Sequence, residues 1–180
     1  IAGEGKSQSD AIELKLGEKW NARTITADDK GFYYKMELIQ STVVKLHVKS
    51  ELAGETTVKV WDAYGDGSAQ NYTQKGESTQ KYTLYLERGS YIVFIGRQVS
   101  GDEGKIAVKY DATKAGSNYD IKDNNELGKA VDISGASGSV EGMLSLGDKI
   151  DIYSVDYEPG KIQRISVDTK IEGNTKVTLY

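Results

Sequence analysis

Thr42-Val-Val-Lys-Leu-His-Val-Lys-Ser50 is the stretch that decides the fold class of this chain. Val44, Leu46 and Val48 alternate with Lys45, His47 and Lys49, and a period of two gives a strand one face for a core and one for water. The device returns in Gly104–Ala112, where Ile106, Val108 and Tyr110 alternate with Lys105, Ala107 and Lys109. Working outward, short runs rich in Val, Ile, Thr and Tyr lie at Ala11–Leu16, Ala22–Thr26, Gly31–Leu38, Thr56–Trp61, Gln80–Glu87 and Ser90–Gly96. Turn residues separate them, among them Gly54, Asp66-Gly67, Arg88-Gly89-Ser90 and Gly101-Asp102, at places where strands reverse. About eight strands are therefore predicted up to residue 112. Only Asp123–Lys129 reads as a helical turn. Short, regularly spaced antiparallel strands in this number predict an all-β, jelly-roll-like β-sandwich.

The chain also repeats itself. Displaced by 119 positions, Ala11–Trp61 lies on Ala130–Tyr180 without a gap, matching Asp29 to Asp148, Tyr34 to Tyr153, Val48 to Val167, Gly54 to Gly173 and Val58 to Val177. The intervening segment, Asp62–Ala112, has no second copy after Tyr180. The expected organisation is a complete sandwich module over residues 1–113, an acidic linker over 114–129, and a partial second module over 130–180 holding its first five strands. Those strands are read at KAVDIS, GSVEGML, DIYSVDYE, KIQRISVDTK and TKVTLY. Half a sandwich exposes one face of its sheet and an unpaired edge. Gly128–Tyr180 is therefore expected to be covered by the first module or to self-associate with another copy. The opening residues, IAGEGKSQSD, lack a starting Met and a signal-peptide core, so the chain reads as a piece of a longer protein.

Composition narrows the function classes. Of 180 residues, 38% are hydrophobic and 28% charged, with a net charge of −4. That balance offers no overall attraction to nucleic acid or anionic membrane, and no apolar run reaches the roughly 20 residues of a membrane span. With no cysteine, disulfides, thiolate zinc sites and a cysteine nucleophile are excluded; this fits a cytosolic protein or a bacterial surface protein equally. Catalysis is not expected. His47, the one histidine, falls on the lysine-bearing side of its strand and is matched by Ser166 in the second copy, so a Ser-His-Asp arrangement lacks its base. Gly135–Gly142, GASGSVEG, has neither the Lys-Ser/Thr ending nor the following helix of a phosphate loop. No spacing of carboxylates singles out a glycosidase pair.

In the second copy, the ordered set Asn125, Ala130, Gly142, Leu144, Asp148, Asp151 and Tyr153 resembles the pre-peptidase C-terminal domains and the related collagen-binding domains of bacterial collagenases. In the first copy, Glu87–Gly96, ERGSYIVFIG, is similar to that family's closing strand. The first copy departs from the pattern at Phe32, which replaces the second Asp, and at Arg23, which replaces the Gly. The resemblance implies a sandwich appended to secreted bacterial enzymes or surface proteins, without catalysis of its own, hence an extracellular or cell-surface location. It also implies calcium held by an acidic linker. Asp120, Asp123, Asn125 and Glu126 supply the hard oxygen donors such a cation takes, and Asp148 and Asp151 add ligands from a neighbouring loop. The competing reading is a solvated linker whose Asp and Asn side chains cap a helical turn.

Twelve tyrosines stand against two phenylalanines, and tyrosine suits half-buried surfaces where the ring packs and the hydroxyl stays wet. Trp61, Tyr64 and Tyr72 gather around the Asp62–Asn71 loop, and Trp20 lies in the first inter-strand turn. If Val58 and Val60 face the core, Trp61 begins to leave it. Such rings could grip a polysaccharide or a collagen-like extracellular protein, or cover the ends of the core. Two functions stand side by side: an accessory module that attaches its parent protein to a polymer, and a structural spacer or stalk with no ligand.

Overall fold

A computed structural model of the chain describes residues 4–65, 69–114, 124–134, 140–144, 148–171 and 174–180. Two sheets face each other across one core, forming a β-sandwich. The strands are β1 (Ile12–Leu14), β2 (Asn21–Ile25), β3 (Gly31–Leu38), β4 (Thr42–Ser50), β5 (Glu55–Asp62), β6 (Ala69–Lys75), β7 (Ser78–Leu86), β8 (Gly89–Arg97) and β9 (Gly104–Lys114). One sheet has the order β1-β3-β8-β5-β6 and the other β2-β9-β4-β7. All pairings in them are antiparallel except β1 with β3, where Ile12 lies opposite Tyr34. Val44, Leu46 and Val48 are fully buried and meet Ile25, Leu84, Leu86, Ile106 and Val108 of their own sheet. Tyr34, Met36, Val58, Val60, Val93 and Ile95 press on them from the other. Burying apolar side chains from two facing sheets is the main stabilising term.

One strand is additional to those expected. β6, AQNYTQK, is too polar to stand out in sequence, yet it forms the edge of the five-stranded sheet. An edge strand needs only a few inward residues. Here these are Tyr72, packed on Tyr82 with ring centroids 4.4 Å apart, and the buried Gln74, whose Nε2 donates to the Ser78 carbonyl at 2.7 Å.

The two copies share local geometry at the same displacement of 119. A 3₁₀ turn at Gln8–Asp10 is matched by one at Leu127–Lys129. The Tyr33 amide donates to the Gly5 carbonyl and the Ile152 amide to the Asn124 carbonyl, at 2.8 and 3.0 Å. The parallel pair Ile12–Tyr34 has its counterpart in Val131–Tyr153, which joins β10 (Val131–Asp132) to β11 (Tyr153–Ser154).

Beyond that pair, the five strands expected in the second copy are not formed among the described residues. The topology gives the reason. Within the first copy β3 and β5 are bridged by β8, β4 lies between β7 and β9, and β2 pairs only with β9. Among β1 to β5 the sole ladder is β1 with β3. Since residues 131–180 correspond to β1–β5 alone, that ladder is the only one they can build, and unpaired segments leave their backbone groups to water. Nor does the first module cover this half. Ile133 and Leu144 are half-buried, but Ile165 and Val177 are 56% and 65% exposed.

Candidate functional site

Period-two alternation dictates what the outer face of the five-stranded sheet carries. With Val58 and Val60 turned inward, Trp61 turns outward; with Tyr34 inward Tyr33 turns outward, and with Val93 and Ile95 inward so does Phe94. Registry then assembles them, since Tyr33 pairs with Phe94 and Trp61 with Ile92 on the same strand. Tyr33 and Phe94 have ring centroids 4.9 Å apart, and Tyr33 meets Trp61 edge-on at 6.3 Å. The three half-buried rings form a continuous aromatic patch. A pair of glycines makes room for it. Gly31 and Gly96 are cross-strand partners, and a Cβ on either would stand 2.7 or 2.5 Å from the Phe94 ring tip, so the ring lies over bare backbone.

Polar groups border the patch. Lys35 and Glu37 of β3 form an ion pair, and Ser90 donates its hydroxyl to Glu37. The Glu37 carboxylate holds the Lys35 ammonium above its ordinary value, with smaller contributions from Tyr64 and Glu13. The same pair, aided by Ser90, lowers Glu37. Tyr64 therefore stands near Lys35, 84% exposed in the turn after β5, where the Asp62 carboxylate accepts its amide at 2.7 Å.

The four aromatic residues singled out in the sequence thus do not share one face. Trp61 and Tyr64 belong to this border and patch. Tyr72 points to the interior side of β6, with its hydroxyl donating to Gln70 Oε1 at 2.9 Å. Trp20 lies on the opposite sheet against His47, at 6.4 Å. Tyr33 and Phe94 complete the patch and were not anticipated; their alternation with Tyr34, Val93 and Ile95 was the available signal. His47 is not fully exposed either. It is half-buried on the outer side of β4, with Nε2 3.0 Å from Asp111 Oδ2.

Of the expected calcium ligands, Asp120 and Asp123 lie outside the described residues. Asn125 and Glu126 are exposed, Asp148 is buried and accepts the Ile150 amide at 3.4 Å, and Asp151 is half-buried. Among the described residues no three acidic or imidazole side chains converge on one point. Asp151 and Tyr153 do converge on Gly142, where a Cβ would fall 2.5 Å from Asp151 Oδ2 and 2.3 Å from the Tyr153 hydroxyl. In the first module Arg23 stands in register with Gly142, and the residues in register with the expected ligands Asn125, Asp148 and Asp151 gather around a lysine instead. Lys6, in register with Asn125, pairs with Asp29, in register with Asp148. Its ammonium also stands 4.5 Å over the ring of Phe32, in register with Asp151.

No family model matches the chain, and no curated protein matches it in sequence. Among solved structures the chain is similar to the pre-peptidase C-terminal domain of a collagenase from Bacillus anthracis, at 13% identity and a TM-score of 0.47, over 56% of this chain and 92% of that one. It is similar also to a periplasmic inhibitor of g-type lysozyme from Salmonella Typhimurium, at 13% identity and 0.39, over 57% and 97%. A third is a carbohydrate-binding module in complex with calcium and xylotriose, at 16% identity and 0.33, over 56% and 93%.

Proposed function

We propose that the chain is a non-catalytic, extracellular accessory module that attaches a secreted enzyme or surface protein to a polymer, and that the polymer is a polysaccharide. The observation that carries this reading is the outward patch of Tyr33, Trp61 and Phe94 on a rigid sheet, bordered by Lys35, Glu37 and Tyr64. Sugar rings present flat C–H faces that pack on aromatic rings, while their hydroxyls find the charged border. A preformed sheet spends little ordering entropy on binding. Affinity electrophoresis in gels containing neutral polysaccharides tests it. Trp61→Ala is expected to weaken retention about tenfold, the scale of losing one aromatic anchor, with melting unchanged. Equal migration of both proteins in every polysaccharide, and equal capture by a collagen-like peptide, would leave the spacer reading in possession.

Calcium belongs to the same proposal, at the second copy. Oxygen donors of Asn125, Glu126, Asp148 and Asp151 match a hard cation, and in the first module Lys6, in register with Asn125, sets an ammonium against Asp29, in register with Asp148. Asp120 and Asp123 would complete the set. Bound calcium would supply charge compensation that ties the linker to the second module, with no part in bond chemistry. Titration calorimetry of the chain with calcium should show saturable one-site binding that Asp148→Asn/Asp151→Asn weakens at least tenfold. Absence of binding heat, or equal binding by that variant, would remove calcium from the reading.

A further inference from the structure

The overall charge of −4 hides a segregation by face. On the outer side of the four-stranded sheet, β4 presents Lys45 and Lys49, β7 presents Lys81, and β9 presents Lys105 and Lys109. Registry turns them into a lattice. Lys81, His47 and Lys109 occupy one row across three strands, and Trp20 prolongs that row at the head of β2, with the Lys109 ammonium 5.4 Å over its ring. The next row holds Lys49 between Thr79 and the alanine pair Ala107–Ala22, and beyond it Lys105 faces Thr24. Rows and columns stand about 4.8 Å apart across strands and about 6.8 Å along them.

Two carboxylates temper this face. Asp111 lies beside His47, and Glu51, at its margin, pairs with Lys49 at 3.0 Å. Glu77 and Glu103 line an adjoining recess at the end of the sheet, which shares Glu51 and Lys105 with the trough described next. The alanine pair leaves a trough of about 280 Å³ walled by Trp20, Lys49 and Lys105, with Glu51, the partner of Lys49, at the same wall.

We propose that this face is a second binding surface, built for an acidic polysaccharide laid in the trough so that its sulfate or carboxylate groups meet the lysine lattice. Two observations select that ligand. Single-stranded nucleic acid is held by successive stacking platforms, whereas the described aromatic residues of this face are Trp20 and Tyr85, on opposite outer strands, and one side of the indole is already taken by Lys109. Finally, the cations are all lysines, compact charges that accept sulfates and carboxylates at varied angles without the bidentate geometry an arginine imposes.

The test is binding of the full chain to dextran sulfate, polygalacturonate and neutral dextran, at about 0.15 M and about 1 M salt, where the screening length falls from about 8 to about 3 Å. At least one polyanion is expected to bind tenfold or more tighter than dextran at the lower salt, and to be released at the higher. The double variant Lys49→Glu/Lys109→Glu should weaken that binding at least tenfold, while Lys49→Arg/Lys109→Arg retains it. Lys59→Glu, a charge reversal on the other sheet, should leave it unchanged, which separates this surface from the rest of the molecule's lysines. Should the charge-reversed chain fail to fold, the exposed pair Lys45→Gln/Lys81→Gln carries the same test. The proposal is overturned if neither polyanion binds, if the lysine variants bind as well as the parent, or if a single-stranded oligonucleotide is held as tightly as the better glycan.

Discussion

Tyr34 is fully buried with a hydroxyl that has no hydrogen-bond partner among the described residues, and burial pushes its ionisation well above the ordinary tyrosine value. A polar group buried without a partner costs about 1–3 kcal/mol. Tyr34→Phe should therefore raise unfolding free energy by about 1 kcal/mol in denaturant titration; a loss would show that the hydroxyl is satisfied after all. Asp29 gives the opposite case. The Lys6 ammonium and the Thr26 amide hold its carboxyl at about 2, below its ordinary 3.8. Because the folded value is depressed, the stabilisation is complete above pH 3.8 and is lost as pH falls through about 2. Melting temperature should drop across that window in the parent protein and change less in Asp29→Asn. Ser50 and Thr56 add a third residue-scale feature, a buried hydroxyl pair 2.6 Å apart linking β4 of one sheet to β5 of the other.

At the scale of elements, strands were legible wherever apolar and polar residues alternate strongly, as in β4, β8 and β9. β6 was not, because an edge strand with inward Tyr72 and Gln74 carries almost no apolar signal. Nor does alternation specify partners. Thr42–Ser50 and its counterpart Lys161–Thr169 read alike, yet only the first is a strand, since β7 and β9 exist to pair with it. The same limit governed the site. Trp61 could be placed outward by parity, but its joining with Tyr33 and Phe94 depends on β8 lying between β3 and β5, and sequence order says nothing of that. The lysine lattice was invisible for a related reason: mixed charges along the chain are sorted by pleat, so a chain with net negative charge carries a positive face. A Cβ at Gly96 would meet the Lys30 carbonyl at 2.4 Å and the Phe94 ring at 2.5 Å, so Gly96→Ala should shift backbone and ring together, costing about 1–3 kcal/mol as overpacking does and weakening polysaccharide retention together with stability.

For the whole molecule, the contrast lies between a module with a continuous core and a following half with apolar side chains in water. Ile162, Val167 and Leu179 are all more than half exposed. Residues 1–114 are expected to melt as a unit at the temperature of the first transition of the full chain, because every strand partner they need is within them; a fragment that fails to fold would show that the second copy supports the first. The exposed apolar set should make the full chain associate with rising concentration, whereas residues 1–114 stay monomeric in sedimentation velocity.

The order in which strands interleave bears on how such a module is made. Its first five strands do not neighbour one another, apart from the short β1–β3 contact; β4 and β5 find β7 and β6, but β2 and the main ladder of β3 wait for β9 and β8. During synthesis from the N-terminus, most of the module must therefore emerge before either sheet can close, and β2 and β3 spend that time largely unpaired and exposed to aggregation. In a tandem array, each repeat would pass through that vulnerable interval beside a finished neighbour whose open edge strands, β6 and β7 among them, are surfaces an emerging copy can meet.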